Sequence, residues 1–383
     1  MSLYTRKPRT PTLAKALLIH GLGEEHTLEH NHPVPTPGPD EVLVRCAAVS
    51  LNPVDWQSKT YNFGISSLPW INGRDASGSI ESIGRNVTGL SIGDAVFTLT
   101  DYTKSNAGSY QEFFVAAATS VARIPSGLGF EQAAAVPVAG VTAGVVLQRY
   151  MGIELGLGLK SRVDSNGDGR GGGSQRQWLL IWGGATSTGY MAIQLAKIYG
   201  LSVIAVASVR NFEYLKDAGA DVVLDRRFPE EALPRVEEVT KRDGGLRLAF
   251  DAVGVTTAGF CARILRKDGK NGKDESVLVA LAGLPRGVEE DPEFKGLSLP
   301  TIKVKVFHNE PEFGAALLKE LTTYLSDGRL KPPRVSVLSG GFDAVNLGLL
   351  RLRNMEISGT KLVIRVDETR SSSKDMQHEL GWL

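Results

Sequence analysis

The chain has 383 residues, 42% of them hydrophobic and 22% charged, with 43 basic against 42 acidic side chains and a formal net charge of +1. That length supports about two domains with cores of their own, and the balanced charge excludes the broad basic footprint of a nucleic-acid or anionic-membrane binder. Two cysteines, Cys46 and Cys261, are too few for a disulfide framework or a structural zinc cluster. No apolar run of about 18 residues stands out as a membrane span, and the opening "MSLYTRKPRTPTLAK" lacks the hydrophobic centre of a signal peptide. A cytoplasmic protein with a small-molecule site is the expectation.

From Ala14 to about Pro125 the chain reads as short apolar segments cut by turns: "AKALLIHG", "EVLVRCAAVSL", "ASGSIESIG", "DAVFTLT" and "GSYQEFFVA". These predict a small, mostly antiparallel β unit. Within it "EEHTLEHNH" gathers His26, His30 and His32, but the Pro-rich "PVPTPGPDE" that follows points to an exposed connection, not a metal site. From Phe130 the pattern lengthens into a helix, "FEQAAAVPVAGVTAGVVLQRY". Strands "WLLIWGG", "SVIAVAS", "VVLD", "LRLAFDAVG" and "SVLVALAG" then alternate with helical segments, the signature of a parallel sheet with crossover helices. One insertion, "KSRVDSNGDGRGGGSQRQ" at 160–177, cannot build a core and is expected to be a flexible loop. Its Asp164, Asn166, Asp168 and Gly169 imitate a calcium loop, but Gln175 replaces the bidentate Glu. After Leu325 the units shorten and end in the strand of "GTKLVIRV", expected to rejoin the first domain. The tail "DETRSSSKDMQHELGWL" reads as polar and loose, with an amphipathic end. The predicted division is therefore 1–130 with 325–383 for the first domain and 131–324 for the second.

The stretch "LLIWGGATSTGYMAIQLAK" has the outline of a dinucleotide cradle: an apolar strand, a Gly-rich turn and an amphipathic helix. Gly183 and Gly184 allow backbone to approach a pyrophosphate, and Gly189 allows the helix to pack near the strand. A helix N-terminus offers unsatisfied amides and a favourable dipole. Thr186, Ser187 and Thr188 add hydroxyls that either donate to the same oxygens or cap the helix. The next strand ends at Ser208, followed by Arg210 and Asn211, where an NAD site usually carries Asp or Glu for the ribose hydroxyls. A hydroxyl with a cation suits a 2′-phosphate, so NADPH is the expected cofactor.

Taken together, "NPVDW", "GRDASGSIESIG", "GDAVF", "GSYQEF", "AAAVPVAGVTAG", "AIQLAK", "AGAD" and "GTKLVIRV" resemble segments of the medium-chain dehydrogenase/reductase superfamily across nearly the whole chain. That resemblance implies an α/β protein: a Rossmann doubly wound parallel-sheet domain plus a GroES-like, mostly antiparallel β domain. Zinc alcohol dehydrogenases of that superfamily carry metal ligands where this chain has Asn52, Arg74 with Asp75, and Val138, and the four-cysteine zinc lobe is absent. The resemblance is thus to the zinc-independent branch, and most to the fungal trans-acting enoyl reductases and toxin-cluster reductases that partner polyketide synthases. It implies hydride transfer from NADPH to the β-carbon of an enoyl thioester on an acyl carrier domain.

Near the matched segments, Asn52 is a candidate to orient the nicotinamide or the substrate carbonyl, with an Asx turn before Pro53 as the structural alternative. Tyr61 lies where some related reductases carry a proton-donating tyrosine, or it packs under its loop. Thr142 either hydrogen-bonds cofactor or substrate or bonds back to its own helix. Lys361 is a candidate to contact the cofactor or join the domains; Asp55 and Asp75 are expected to orient backbone, and Trp56 and Trp70 to pack or to line an acyl channel. Two other readings stay open: a free-standing quinone or alkenal reductase, and a non-catalytic nucleotide-binding regulator. Neither nucleic acid nor membrane is expected as a partner, and the chain is expected as a monomer or homodimer.

Overall fold

The computed structural model describes residues 10–101, 103–104, 106–153, 176–267, 275–288 and 290–370. The insertion at 160–177, apart from Arg176 and Gln177, and the tail beyond Arg370 lie outside the described residues, and with them the calcium-like Asp164, Asn166, Asp168, Gly169 and Gln175. The chain forms two compact units, one running to Pro137 and resuming at Val335–Ile357 and from Lys361, the other comprising Val138–Arg334 and Ser358–Thr360.

The first unit opens with β1 (Leu13–Ile19), β2 (Thr27–Pro33) and β3 (Glu41–Ser50), then α1 (Pro53–Tyr61), β4 (Trp70–Ile71), β5 (Asp75–Ile83), β6 (Ala95–Leu99), β7 (Phe113–Ala117), β8 (Val121–Arg123) and α2 (Phe130–Ala134). The second unit takes over with α3 (Pro137–Val145), followed by β9 (Trp178–Trp182), α4 (Ser187–Ile198), β10 (Ser202–Ala207), α5 (Phe212–Asp217) and β11 (Val222–Asp225). It continues with α6 (Pro229–Thr240), β12 (Leu248–Asp251), α7 (Val255–Ile264), β13 (Ser276–Ala280), β14 (Leu297–Ser298), α8 (Val306–Asn309) and α9 (Pro311–Ser326). The chain then re-enters the first unit as β15 (Val335–Leu338), α10 (Val345–Arg353) and β16 (Lys361–Arg365).

In the first unit β3 is the hub. It pairs antiparallel with β5, β7 and β16 inside a seven-stranded sheet ordered β15-β16-β3-β5-β6-β8, while β2-β1-β4 forms a smaller sheet. With neighbours along both edges and packing on both faces, β3 is buried almost continuously instead of alternating, and Val42, Val44 and Val49 are fully covered. Fully burying such a side chain contributes about 1.5 to 3 kcal/mol. In the second unit β9 to β14 form one parallel sheet ordered β11-β10-β9-β12-β13-β14. Every residue of β9 and β10 is buried, the mark of central parallel strands covered by helices on both faces.

Two local expectations change. The single helix read from Phe130 is broken, because Pro137 cannot donate to the preceding turn: α2 ends at Ala134, α3 starts at Pro137, and a π-helical stretch covers Val146–Tyr150. By length and composition an 18-residue window of the helical stretch Phe130–Tyr150 does pass as a membrane span, at a mean hydropathy of 1.5, yet 78% of that window is buried inside the protein. The histidine segment expected as a connection contains β2, an edge strand on β1. His26 precedes it, buried, with its ring and its backbone both bonded to Asn346 of α10.

Candidate functional site

In the second unit the cradle forms where β9 ends. Gly183 has φ +83°, and a Cβ there would stand 2.4 Å from Val253 Cγ2. A Cβ on Gly189 would stand 2.3 Å from the Gly183 carbonyl oxygen, so only glycine lets α4 sit this close to the turn. The amides of Gly183 and Gly184 both donate to Val206 O, at 3.0 and 3.1 Å, which ties the turn to β10. Thr186 caps α4: its hydroxyl accepts the Gly189 amide at 3.0 Å. Among the described residues this leaves the amides and hydroxyls of Ser187 and Thr188 uncommitted at a partly exposed helix N-terminus. Orphan amides, two hydroxyls and the dipole of a 12-residue helix fit the pyrophosphate of a dinucleotide cofactor. Of the three hydroxyls, that of Thr186 is thus a helix cap, and those of Ser187 and Thr188 belong to partly exposed residues.

The neighbouring strand ends support the cradle. Ser208 precedes a short 3-10 turn over Val209–Asn211 and is partly exposed; Arg210 is exposed. Asn211 is buried, and its amide donates to Ser358 Oγ at 3.0 Å, so it anchors the Ser358–Thr360 segment. A residue not singled out in the sequence, Asp251 at the end of β12, accepts from Thr257 Oγ1 at 2.7 Å and from the amides of Gly254 and Val253, fixing the loop that packs on Gly183. Burial pushes its carboxyl up to about 6 against those hydrogen bonds. A carboxylate at the carboxyl end of a parallel strand was the available signal. Thr142 in α3 is buried.

In the first unit, sheet register assembles a buried polar cluster. Ser50 of β3 lies opposite Asp75 of β5, and β16 pairs with β3 so that Lys361 reaches the same end. Asp75 accepts from Ser50 Oγ at 2.6 Å and from Asn52 Nδ2 at 2.8 Å, and its ion pair with Lys361 spans 3.1 Å. Lys361 also donates to Asn52 Oδ1, so both ends of the Asn52 amide are held. Asn52 is the N-cap of α1, and its backbone N–H donates to Asp55 Oδ2 at 2.8 Å. Tyr110 donates to the same oxygen at 2.9 Å, and Arg74 lies 4.0 Å from Oδ1. Burial pushes Asp55 up to about 6, opposed by Arg74 and by the hydrogen bonds from Asn52 and Tyr110. The same burial holds the Tyr110 hydroxyl well above its ordinary value. Tyr61 stands apart: it is 68% exposed at the end of α1, its ring 5.9 Å from that of Trp56. Trp56 is half-buried on the core and Trp70 is buried in β4. Tyr110 and the Lys361–Asp75 pair were not legible as a cluster, because only strand pairing brings them together.

Residues 38–126 match the family model described as the alcohol dehydrogenase GroES-like domain, and residues 187–283 the one described as zinc-binding dehydrogenase. The trans-enoyl reductase ACTTS2 of Alternaria alternata is 31% identical over 92% of this chain and 99% of its own. LovC, the enoyl reductase component of the lovastatin nonaketide synthase of Aspergillus terreus, is 30% identical over 94% of this chain and 99% of its own. Among solved structures, an alcohol dehydrogenase superfamily protein from Novosphingobium aromaticivorans shares the fold with a TM-score of 0.74 at 23% identity, covering 92% of this chain and 99% of that one. By these relatives and the two-unit fold, the chain is an oxidoreductase of the medium-chain dehydrogenase/reductase superfamily and belongs to the family of the trans-enoyl reductases.

Proposed function

We propose that the protein is an NADPH-dependent, zinc-independent enoyl reductase that works in trans on an enoyl thioester held by a polyketide synthase carrier domain. Similarity to trans-enoyl reductases along nearly the full chain carries this reading. A nicotinamide bound at the cradle supplies a hydride to the β-carbon of the double bond. The chain binds the pyrophosphate at the α4 N-terminus through Ser187 and Thr188, with Gly183, Gly184 and Gly189 shaping the turn and Thr186 its cap. Ser208 and Arg210 favour the 2′-phosphate because no carboxylate ends β10. Asn211 supports this turn from beneath through Ser358. Asn52, pinned by Lys361 and Asp75, is a rigid polar element, and the charge that develops on the thioester oxygen is met by hydrogen-bond donors. Tyr61, exposed at the end of α1, and Thr142, buried in α3, are the candidates to deliver the proton to the α-carbon or hold the substrate. The donor chemistry is unsuited to zinc. Asp75 is neutralised by the Lys361 ammonium, Arg74 puts a second cation beside Asp55, and an amide replaces a thiolate at Asn52.

Stopped-flow NADPH oxidation, with and without chelator, tests the reading on three substrates: a carrier-bound enoyl chain, a short free enoyl thioester and a simple quinone. Tethering supplies effective concentration and protein contacts that a free thioester lacks. Carrier-bound substrate is therefore expected to turn over most efficiently, unaffected by chelator. Quinone turnover above both enoyl substrates overturns the assignment, and no NADPH consumption with any of them points to a nucleotide-binding regulator.

A further inference from the structure

The parallel pairing of β10 with β11 aligns Ala207 with Asp225, and the Arg226 amide donates to Ala207 O at 2.9 Å. The first residue beyond β11 is thereby set beside Ser208, the first residue beyond β10. Three charged side chains follow one another there. Arg227 forks onto Asp225, with Nε and Nη2 at 2.9 and 2.7 Å from Oδ2. That contact holds the Asp225 carboxyl below its ordinary range. Near Arg210, Glu213 is engaged by Lys216 at 2.9 Å. Arg210 and Arg226 are both exposed, and neither forms an ion pair within 4.0 Å among the described residues, although the Arg226 charge adds a small part to the lowering of Asp225. Asp225 and Glu213 are thus each held by another cation, and the guanidiniums of Arg210 and Arg226 stay available.

We propose that Arg226 is a second cation for the 2′-phosphate, and that Arg227 acts as a positioning residue that masks Asp225, which would otherwise repel the phosphate. The inference rests on the NADPH reading and extends it to a strand the sequence pattern did not implicate. A guanidinium matches a phosphate bidentately, and two of them with a hydroxyl satisfy a dianion's oxygens. An unmasked carboxylate at the adjoining strand end would do what the acidic residue of an NAD site does and reject the phosphate.

Calorimetric binding of adenosine 2′,5′-bisphosphate and of 5′-AMP, at fixed ionic strength, separates this subsite from the rest of the cradle without needing turnover. Arg226→Ala is expected to weaken the bisphosphate about ten- to a hundredfold and leave 5′-AMP unchanged. Arg226→Lys, which keeps the charge and loses the fork, is expected to fall between. Arg227→Ala is expected to weaken the bisphosphate selectively, and Asp225→Asn added to it to restore most of the loss, an outcome that a merely structural Arg227 would not give. Wild-type preference for the bisphosphate with no change in Arg226→Ala overturns Arg226 alone. Failure of Asp225→Asn to rescue overturns the masking role. A wild-type protein indifferent to the 2′-phosphate overturns the NADPH reading and this inference together. Thermal unfolding of each variant confirms that the cradle remains folded.

Discussion

Lys361 is 5% exposed and Asp75 is fully buried, and each is the other's ion-pair partner at 3.1 Å. Removing one partner of such a pair leaves an uncompensated buried charge and costs about 3 to 5 kcal/mol. Lys361→Met should lower the denaturant midpoint sharply, and Asp75→Asn in the same chain should recover part of that loss. A Lys361→Met protein as stable as wild type would show that the pair is not formed in solution. Asp55 gives a pH signature. Its folded carboxyl titrates at about 6 against an ordinary 3.8, so the folded chain binds the proton more tightly than the unfolded chain does. Stability therefore falls as pH rises from about 4 to about 6, and the penalty is fully present above that. Asp251 shifts in the same direction, but it is common to wild type and Asp55→Asn and cancels in their difference. The stability of wild type minus that of Asp55→Asn should decline across this window by up to about 3 kcal/mol. A flat difference, measured by unfolding at several pH values, contradicts the raised value.

At the scale of the element, the N-terminus of α4 depends on one cap and one contact. Thr186→Ala removes the acceptor of the Gly189 amide and should cost about 1 kcal/mol, while Thr186→Ser keeps the oxygen and should cost little. Gly189→Ala is harsher in a different way, because its Cβ meets backbone, not a side chain that can turn aside. The helix must withdraw from the turn, carrying the amides of Ser187 and Thr188 with it. NADPH fluorescence titration should show Gly189→Ala losing far more affinity than Thr186→Ser. Equal affinities would mean that the helix start does not hold the phosphates.

At the scale of the whole molecule, the chain leaves the first unit after Pro137 and returns at Val335. The return supplies β15 and β16 to the seven-stranded sheet and buries Phe342, Val345, Leu349, Leu362 and Ile364 in the first unit's core. A chain ending at Arg334 lacks these residues and leaves β3 with an open edge over part of its length. Limited proteolysis should then digest the first unit, while the parallel sheet of the second, contained within Val138–Arg334 apart from three residues, persists. Equal resistance of both units would contradict the role given to the return.

Local pattern was enough for much of this protein. Alternation after Trp178 gave the parallel strands, the glycines of the "GGATSTG" turn gave the tight passage from β9 to α4, and Ser208 with Arg210 marked a second strand without its acid. These signals are local because strand, turn and helix-start preferences act over a few residues. What β3 buries, which acid neutralises Lys361 and which arginine stands beside Ser208 were decided by strand register. The break at Pro137 was visible in the sequence as a residue, yet the long apolar run around it outweighed it in the reading. Asn52 shows the division plainly: its place before Pro53 marks a helix start, but its partners lie at Asp75 and Lys361. Pairing between distant strands is selected by burial of whole faces, and no local preference encodes it.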